Sequence, residues 1–106
     1  MVQQDVLDRV FASLADPQRR RILVRLGEGP ASASALAREF PISRQAIVKH
    51  LEVLAAAGLV ESERVGRELV HRALGGRLSD VARELERIGR SWDTRLATIK
   101  RLAEDG

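Results

Sequence analysis

The chain has 106 residues, 11.7 kDa and a formal net charge of +3, with 44% hydrophobic and 31% charged residues. That is one soluble globular domain with room for a single modest core, too short for two domains and too apolar for a disordered chain. Cysteine is absent and the aromatics are only Phe11, Phe40 and Trp92, which excludes disulfides, thiolate zinc sites and cysteine nucleophiles and disfavours aromatic-rich RNA- and single-strand-binding surfaces. No apolar run approaches the roughly 20 residues of a membrane span and the first residues carry no signal-peptide core, so a cytoplasmic location is expected. Basicity is concentrated mid-chain: residues 17–72 hold ten basic and six acidic residues (+4), and the two ends hold eight and nine (−1), summing to +3. An excess of that size is a mild nucleic-acid signal.

Val6, Leu7, Val10, Phe11 and Leu14 recur at helical spacing and predict a first helix over 5–14. Asp16 followed by Pro17 is an N-cap before a proline at the first helical position, opening a second helix to about Leu26 that Gly27 and Gly29-Pro30 should stop. Ser32 or Ser34 can cap a short third helix bearing Leu36, Ala37 and Phe40, ended by Pro41. Ser43 caps a fourth, from Arg44 to about Ala57, with Ile47, Leu51 and Leu54 inward and Gly58 as its stop. The period then changes to two on either side of Val65-Gly66-Arg67, which predicts a two-stranded hairpin with Gly66 at its tip. Leu78, Val81, Leu85, Ile88, Trp92, Leu96, Ile99 and Leu102 repeat every three or four residues, a closing helix of about 25 residues or roughly 37 Å.

The expected fold is therefore mainly α with a small β-hairpin: a winged helix-turn-helix of about five helices plus a two-stranded wing, filling 1–106 as one domain. Within it, 33–57 form the helix-turn-helix, 59–73 the wing, and 77–104 a dimerisation helix. A helix-turn-helix works because one helix braces a second, whose N-terminal side chains enter the major groove. On that second helix the outward residues are Ser43, Arg44, Gln45, Val48 and Lys49. Arginine grips guanine, glutamine grips adenine, and Val48 can touch a thymine methyl. Lys49 and His50 suit phosphates, as do Arg64 and Arg67 at the wing tip, whereas Glu61, Glu63 and Glu68 weaken the strands as a phosphate clamp. His50 reads equally as a packed histidine, and the Arg19-Arg20-Arg21 run more often as a solvated helix face than as a phosphate site. His71 reads as a partly buried strand residue. A stripe as long as that of the last helix cannot be buried within so small a domain, so Leu85, Ile88, Trp92, Leu96 and Ile99 are assigned to a dimer interface.

Three segments, LADPQRRRILVRL, ALAREFPISRQAIVKHLEVLAAAGLV and ESERVGRELVHRAL, make the chain resemble the ArsR/SmtB-type winged-helix transcriptional repressors. The resemblance implies a homodimer held by its first and last helices, which makes 1–14 a second dimerisation helix and adds Val6 and Val10 to the interface. It also implies binding to an inverted repeat in double-stranded DNA and release by an effector, here a small molecule the sequence does not identify. Many such proteins sense metals through cysteines or through Asp and His ligands on the last helix; this chain has no cysteine and no histidine there, so no metal or other cofactor is expected. Val48 stands where the family commonly has serine, and His71 where an aromatic is common. No phosphate loop, His-Glu-x-x-His or nucleophile elbow is present, which argues against an enzyme. The rival readings are a protein-interaction winged helix, which would expose apolar anchors on the fourth helix, and an architectural DNA binder with no effector switch and little sequence preference.

Overall fold

The computed structural model describes residues 4–105; residues 1–3 of the predicted first dimerisation segment and Gly106 of the predicted domain lie outside them. The elements are α1 (Gln4–Leu14), α2 (Pro17–Glu28), β1 (Ala31–Ser32), α3 (Ala33–Glu39), α4 (Arg44–Ala56), β2 (Val60–Val65), β3 (Glu68–Ala73) and α5 (Gly75–Asp105). This is a mostly helical winged helix-turn-helix, as the sequence predicted, with one addition. The sheet has three strands in the order β1-β3-β2, because Ala31 and Ser32 pair antiparallel with His71 and Val70 at the root of the hairpin.

Local chemistry explains the boundaries. The Asp16 carboxylate accepts from the Gln18 and Arg19 amides at 2.7 and 3.3 Å and starts α2. Desolvation pushes that carboxyl up, but the two amides and the charges of His50 and Arg19 outweigh it and hold it below its ordinary value. Gly27 does not stop α2; the helix runs through it to Glu28 and ends where Gly29 turns extended. Ser32, not Ser34, caps α3, its hydroxyl accepting from Ala35 N at 3.1 Å. Pro41 forces Phe40 into the extended region (φ −114°, ψ 143°) and so ends α3. Helix α4 closes in a Schellman turn: Gly58 N donates to Ala55 O, Leu59 N donates to Leu54 O, and Gly58 takes φ +77°. Gly66 takes φ +64° and Arg67 does not, the pattern of a type II′ turn with glycine first.

The core lies between α1–α4 and the root of the sheet: Val10, Ile22, Leu36, Ile47, Leu54 and Leu59 have no measurable exposure. Val10, assigned from the sequence to the dimer face, is thus part of the chain's own core, because α1 packs against α2 and α4 with that side inward. Helix α5 joins the core only through Val81 and Leu78 in its first turns. Its remainder projects, which gives the molecule extents of 69 × 28 × 22 Å.

Candidate nucleic-acid interface

Helix α3 packs against α4, and Ser43 Oγ accepts from Ala46 N at 3.1 Å, so α4 presents a fixed N-terminal turn. Because Ile47, Leu51 and Leu54 point inward, the 100° step per residue places Gln45, Lys49 and Glu52 on the opposite, solvent-facing side. Arg44 lies toward the wing, its Nε donating to Ser34 Oγ at 3.0 Å, and Val48 sits beside it, half-buried. The antiparallel register puts Ser62 opposite His71 and Arg64 opposite Leu69, so these four share one sheet face. That face looks onto α4 across a cleft of about 490 Å³ lined also by Arg44, Val48 and Arg67. Arg64 Nη1 donates to Arg67 O at 3.3 Å and draws both arginines to the tip.

The register puts the carboxylates expected to weaken the wing in phase, Glu68 pairing with Val65 on the same face as Glu61 and Glu63, although Glu68, beside the turn, also reaches the cleft. Glu61 and Glu63 fall on the outer face, where Arg72 Nε donates to Glu61 at 2.6 Å. Among the described residues none of Arg44, Lys49, Arg64 or Arg67 is ion-paired. His50 lies apart from the other predicted residues. It is half-buried on the side of α4 that faces the α1–α2 corner, with Nδ1 3.5 Å from Arg19 Nη1. The arginine run is similarly committed: Arg19 Nε donates to Ser13 O at 2.6 Å and Arg20 to Leu14 O at 2.6 Å, capping the end of α1.

His71 is buried, as read from the sequence, and its Nδ1 shares a 2.8 Å hydrogen bond with Ser62 Oγ; burial lowers its pKa below the ordinary histidine value. Among the described residues no three His, Cys, Asp or Glu side chains converge as a metal site would require, and no helix is long and apolar enough to cross a membrane. On α5, Leu85, Ile88, Trp92, Leu96, Ile99 and Leu102 are between 42% and 68% exposed, one continuous apolar stripe that packs on no core residue among the described residues.

A family described as a helix-turn-helix domain matches residues 14–63. The chain is 39% identical over 80 residues to the HTH-type transcriptional regulator Rv2034 of Mycobacterium tuberculosis, covering 76% of this chain and 75% of that one. It superposes on an ArsR-like transcriptional regulator from Rhodococcus sp. RHA1 with a TM-score of 0.85 at 56% identity, covering 93% of both chains. The chain belongs to the ArsR/SmtB family of winged-helix transcriptional regulators. A further similar structure is the homodimeric winged helix-turn-helix DNA-binding domain Mb0332 from Mycobacterium bovis, with TM-score 0.65, 30% identity and 87% of this chain against 82% of that one. ArsR/SmtB proteins are transcriptional regulators and not enzymes.

In this ArsR/SmtB-type chain, three residues beside the candidate interface were not marked by the sequence reading. Glu52 stands one turn beyond Lys49 on the outward face, a position its spacing of seven from Gln45 already marked. Ser34 holds Arg44, and Leu69 opens onto the cleft. Neither contact has a local signal, because both depend on how the wing and α3 meet α4.

Proposed function

We propose that this regulator is a repressor that binds an inverted-repeat operator as a homodimer. It acts in the cytoplasm and does not sense metals through cysteine or histidine. The observation that carries the reading is the outward face of α4: Gln45 and Lys49, with Arg44 alongside, form a polar, unpaired surface on a capped and braced helix. A protein-docking face would expose apolar side chains there. In the assigned roles, Arg44 and Gln45 read base edges, Val48 meets a thymine methyl and Glu52 accepts from a cytosine amine. Ser43, Lys49, His50, Arg64 and Arg67 hold phosphates. The segments 33–57 and 59–73 are the DNA-reading half of the single domain.

The dimer reading rests on the α5 stripe, and it is supported by the homodimeric state of the related Mycobacterium bovis domain. Segments 1–14 and 77–104 form the interface, through Val6, Leu85, Ile88, Trp92, Leu96 and Ile99, with Val10 kept for the core. A two-fold dimer sets two copies of α4 one DNA turn apart, about 34 Å, and so reads a palindrome. The test is selection of fragments from randomised duplex DNA by the purified full chain, followed by sequencing. Enrichment of an inverted repeat with half-site centres about 10 base pairs apart supports the reading. Retention without a motif assigns the protein to architectural binders, and no retention to protein-interaction modules.

A further inference from the structure

We infer that the cleft between the wing and α4 is a binding site for a small organic carboxylate with an apolar body, and that this ligand competes with DNA. The competition rests on the DNA reading above; the site itself does not.

A sugar–phosphate strand accounts for only half of what the cleft contains. Its rim carries three cations from two elements, Arg44 on α4 and Arg64 and Arg67 at the wing tip. Glu52 and Glu68 line the same cleft, yet neither lies within ion-pair distance of any of the three. The guanidinium groups therefore keep their capacity for a planar, two-oxygen anion, which arginine grips in bidentate fashion. Phosphates would use those cations and nothing beneath them.

The floor is apolar. Val48 and Leu51 from α4 face Leu69 from β3, which is 44% exposed. At the inner end stands the hydrogen-bonded Ser62–His71 pair, uncharged near neutral pH because burial disfavours the imidazolium. A volume of about 490 Å³ falls within the range of small-molecule sites, which combine an apolar lining with a few convergent polar groups. Cations at the mouth and hydrocarbon at the base suit a carboxylate on an aromatic or branched aliphatic body. An inorganic anion leaves the floor empty, and an amine meets a lining that is positive on balance, three arginines against Glu52 and Glu68. Because Arg44, Arg64 and Arg67 also serve the phosphates, one occupant excludes the other.

The test is a titration of the full chain with benzoate, followed by ¹H–¹⁵N NMR, with benzamide and benzylammonium as neutral and cationic counterparts. Saturable shifts at the Val48, Leu51, Ala55 and Leu69 amides, at least about tenfold weaker with benzamide, support the site; one order of magnitude is the 1.4 kcal/mol expected of a charge-assisted contact. Shifts confined to α5, equal shifts with all three compounds, or none overturn it. Leu69→Ser, which removes apolar floor without touching the arginines, should weaken benzoate by about tenfold, and equal benzoate affinity would count against the site. Benzoate should raise the apparent Kd for duplex DNA beyond chloride at equal ionic strength; benzoate bound without that effect overturns the competition alone. Cleft shifts with no DNA binding overturn the regulator reading and leave the site standing, whereas DNA binding with no cleft shifts overturns only the site.

Discussion

Replacing Trp92 with alanine isolates the contribution of one side chain to self-association. Trp92 is 54% exposed and touches no part of the core, so the change leaves the single protomer's packing as it was. With roughly 250 Å² for a fully extended tryptophan, about 135 Å² awaits a partner, and at ~25 cal/mol per Å² its burial is worth about 3 kcal/mol. A two-fold interface contains the residue twice, for about 6 kcal/mol if both rings are fully covered. Arg95 lies over one face of the ring, 5.3 Å from its centroid, and that shielding is already contained in the 54%, so only incomplete coverage by the partner lowers the figure. The expected loss is therefore about 4–6 kcal/mol, a dimer Kd higher by some 10³–10⁴-fold. Sedimentation over dilution from about 100 μM to about 1 nM reads this directly. Glu86→Ala, which removes an exposed ion pair on the polar face of α5, serves as the control and should leave Kd within about threefold. A Trp92→Ala dimer within tenfold of the parent, or a parent that is monomeric throughout, refutes the assignment of the stripe to self-association.

Three other outcomes follow from the same coordinates. Gln45→Ala should cost about 1–3 kcal/mol at one base pair of each half-site and relax the preference there, whereas Arg67→Ala should weaken all sequences alike and lower the salt slope by roughly one per protomer; competition binding on specific and random duplexes separates the two. Gly58→Ala forces a left-handed φ on a residue with a Cβ and displaces the Arg77 guanidinium, whose Nη1 sits 2.9 Å from that Cβ and donates to Ala57 O, so stability should fall by about 1–2 kcal/mol in thermal melts at fixed protein concentration. His71 binds a proton less readily in the fold than in the unfolded chain, so stability should hold from pH 8 to 7 and decline as pH drops through about 6.5, while the lowered Asp16 carboxyl acts only below about 3.8. Urea midpoints at pH 7.5 and 5.5 check the sign, and His71→Gln should flatten the difference.

What the sequence made legible is what depends on neighbours in the chain. Helical spacing found all five helices, and Asp16, Ser43, Gly58 and Gly66 marked caps and the turn through side-chain oxygens and positive φ. Strand β1 was invisible because two residues carry no period, and its pairing with β3 is a tertiary event. Gly27 read as a stop, yet the packing of Leu23 and Leu26 carries α2 past it. Val10 shows the same limit: the periodicity of α1 says that one face is apolar, not whether its own chain or another covers it. At the interface, Gln45 and Lys49 followed from the helical step, but the tie between Arg44 and Ser34 and the packing of His50 on Arg19 required the neighbouring helices to be in place.

The short strand β1 also determines how the hairpin moves. His71 and Val70 are paired on both edges, while Glu68 and Leu69 are paired on one, so the ribbon is clamped at its root and free at Gly66. A beam held at one end has its softest motion at the other. In the proposed DNA complex, α4 would fix the register while the Arg64–Arg67 end swings to follow a flanking minor groove that is narrow in one site and wide in the next. Under that proposal, operators that differ in their flanks would share one core half-site, and the tolerance would be mechanical in origin, with no change of contact at the bases.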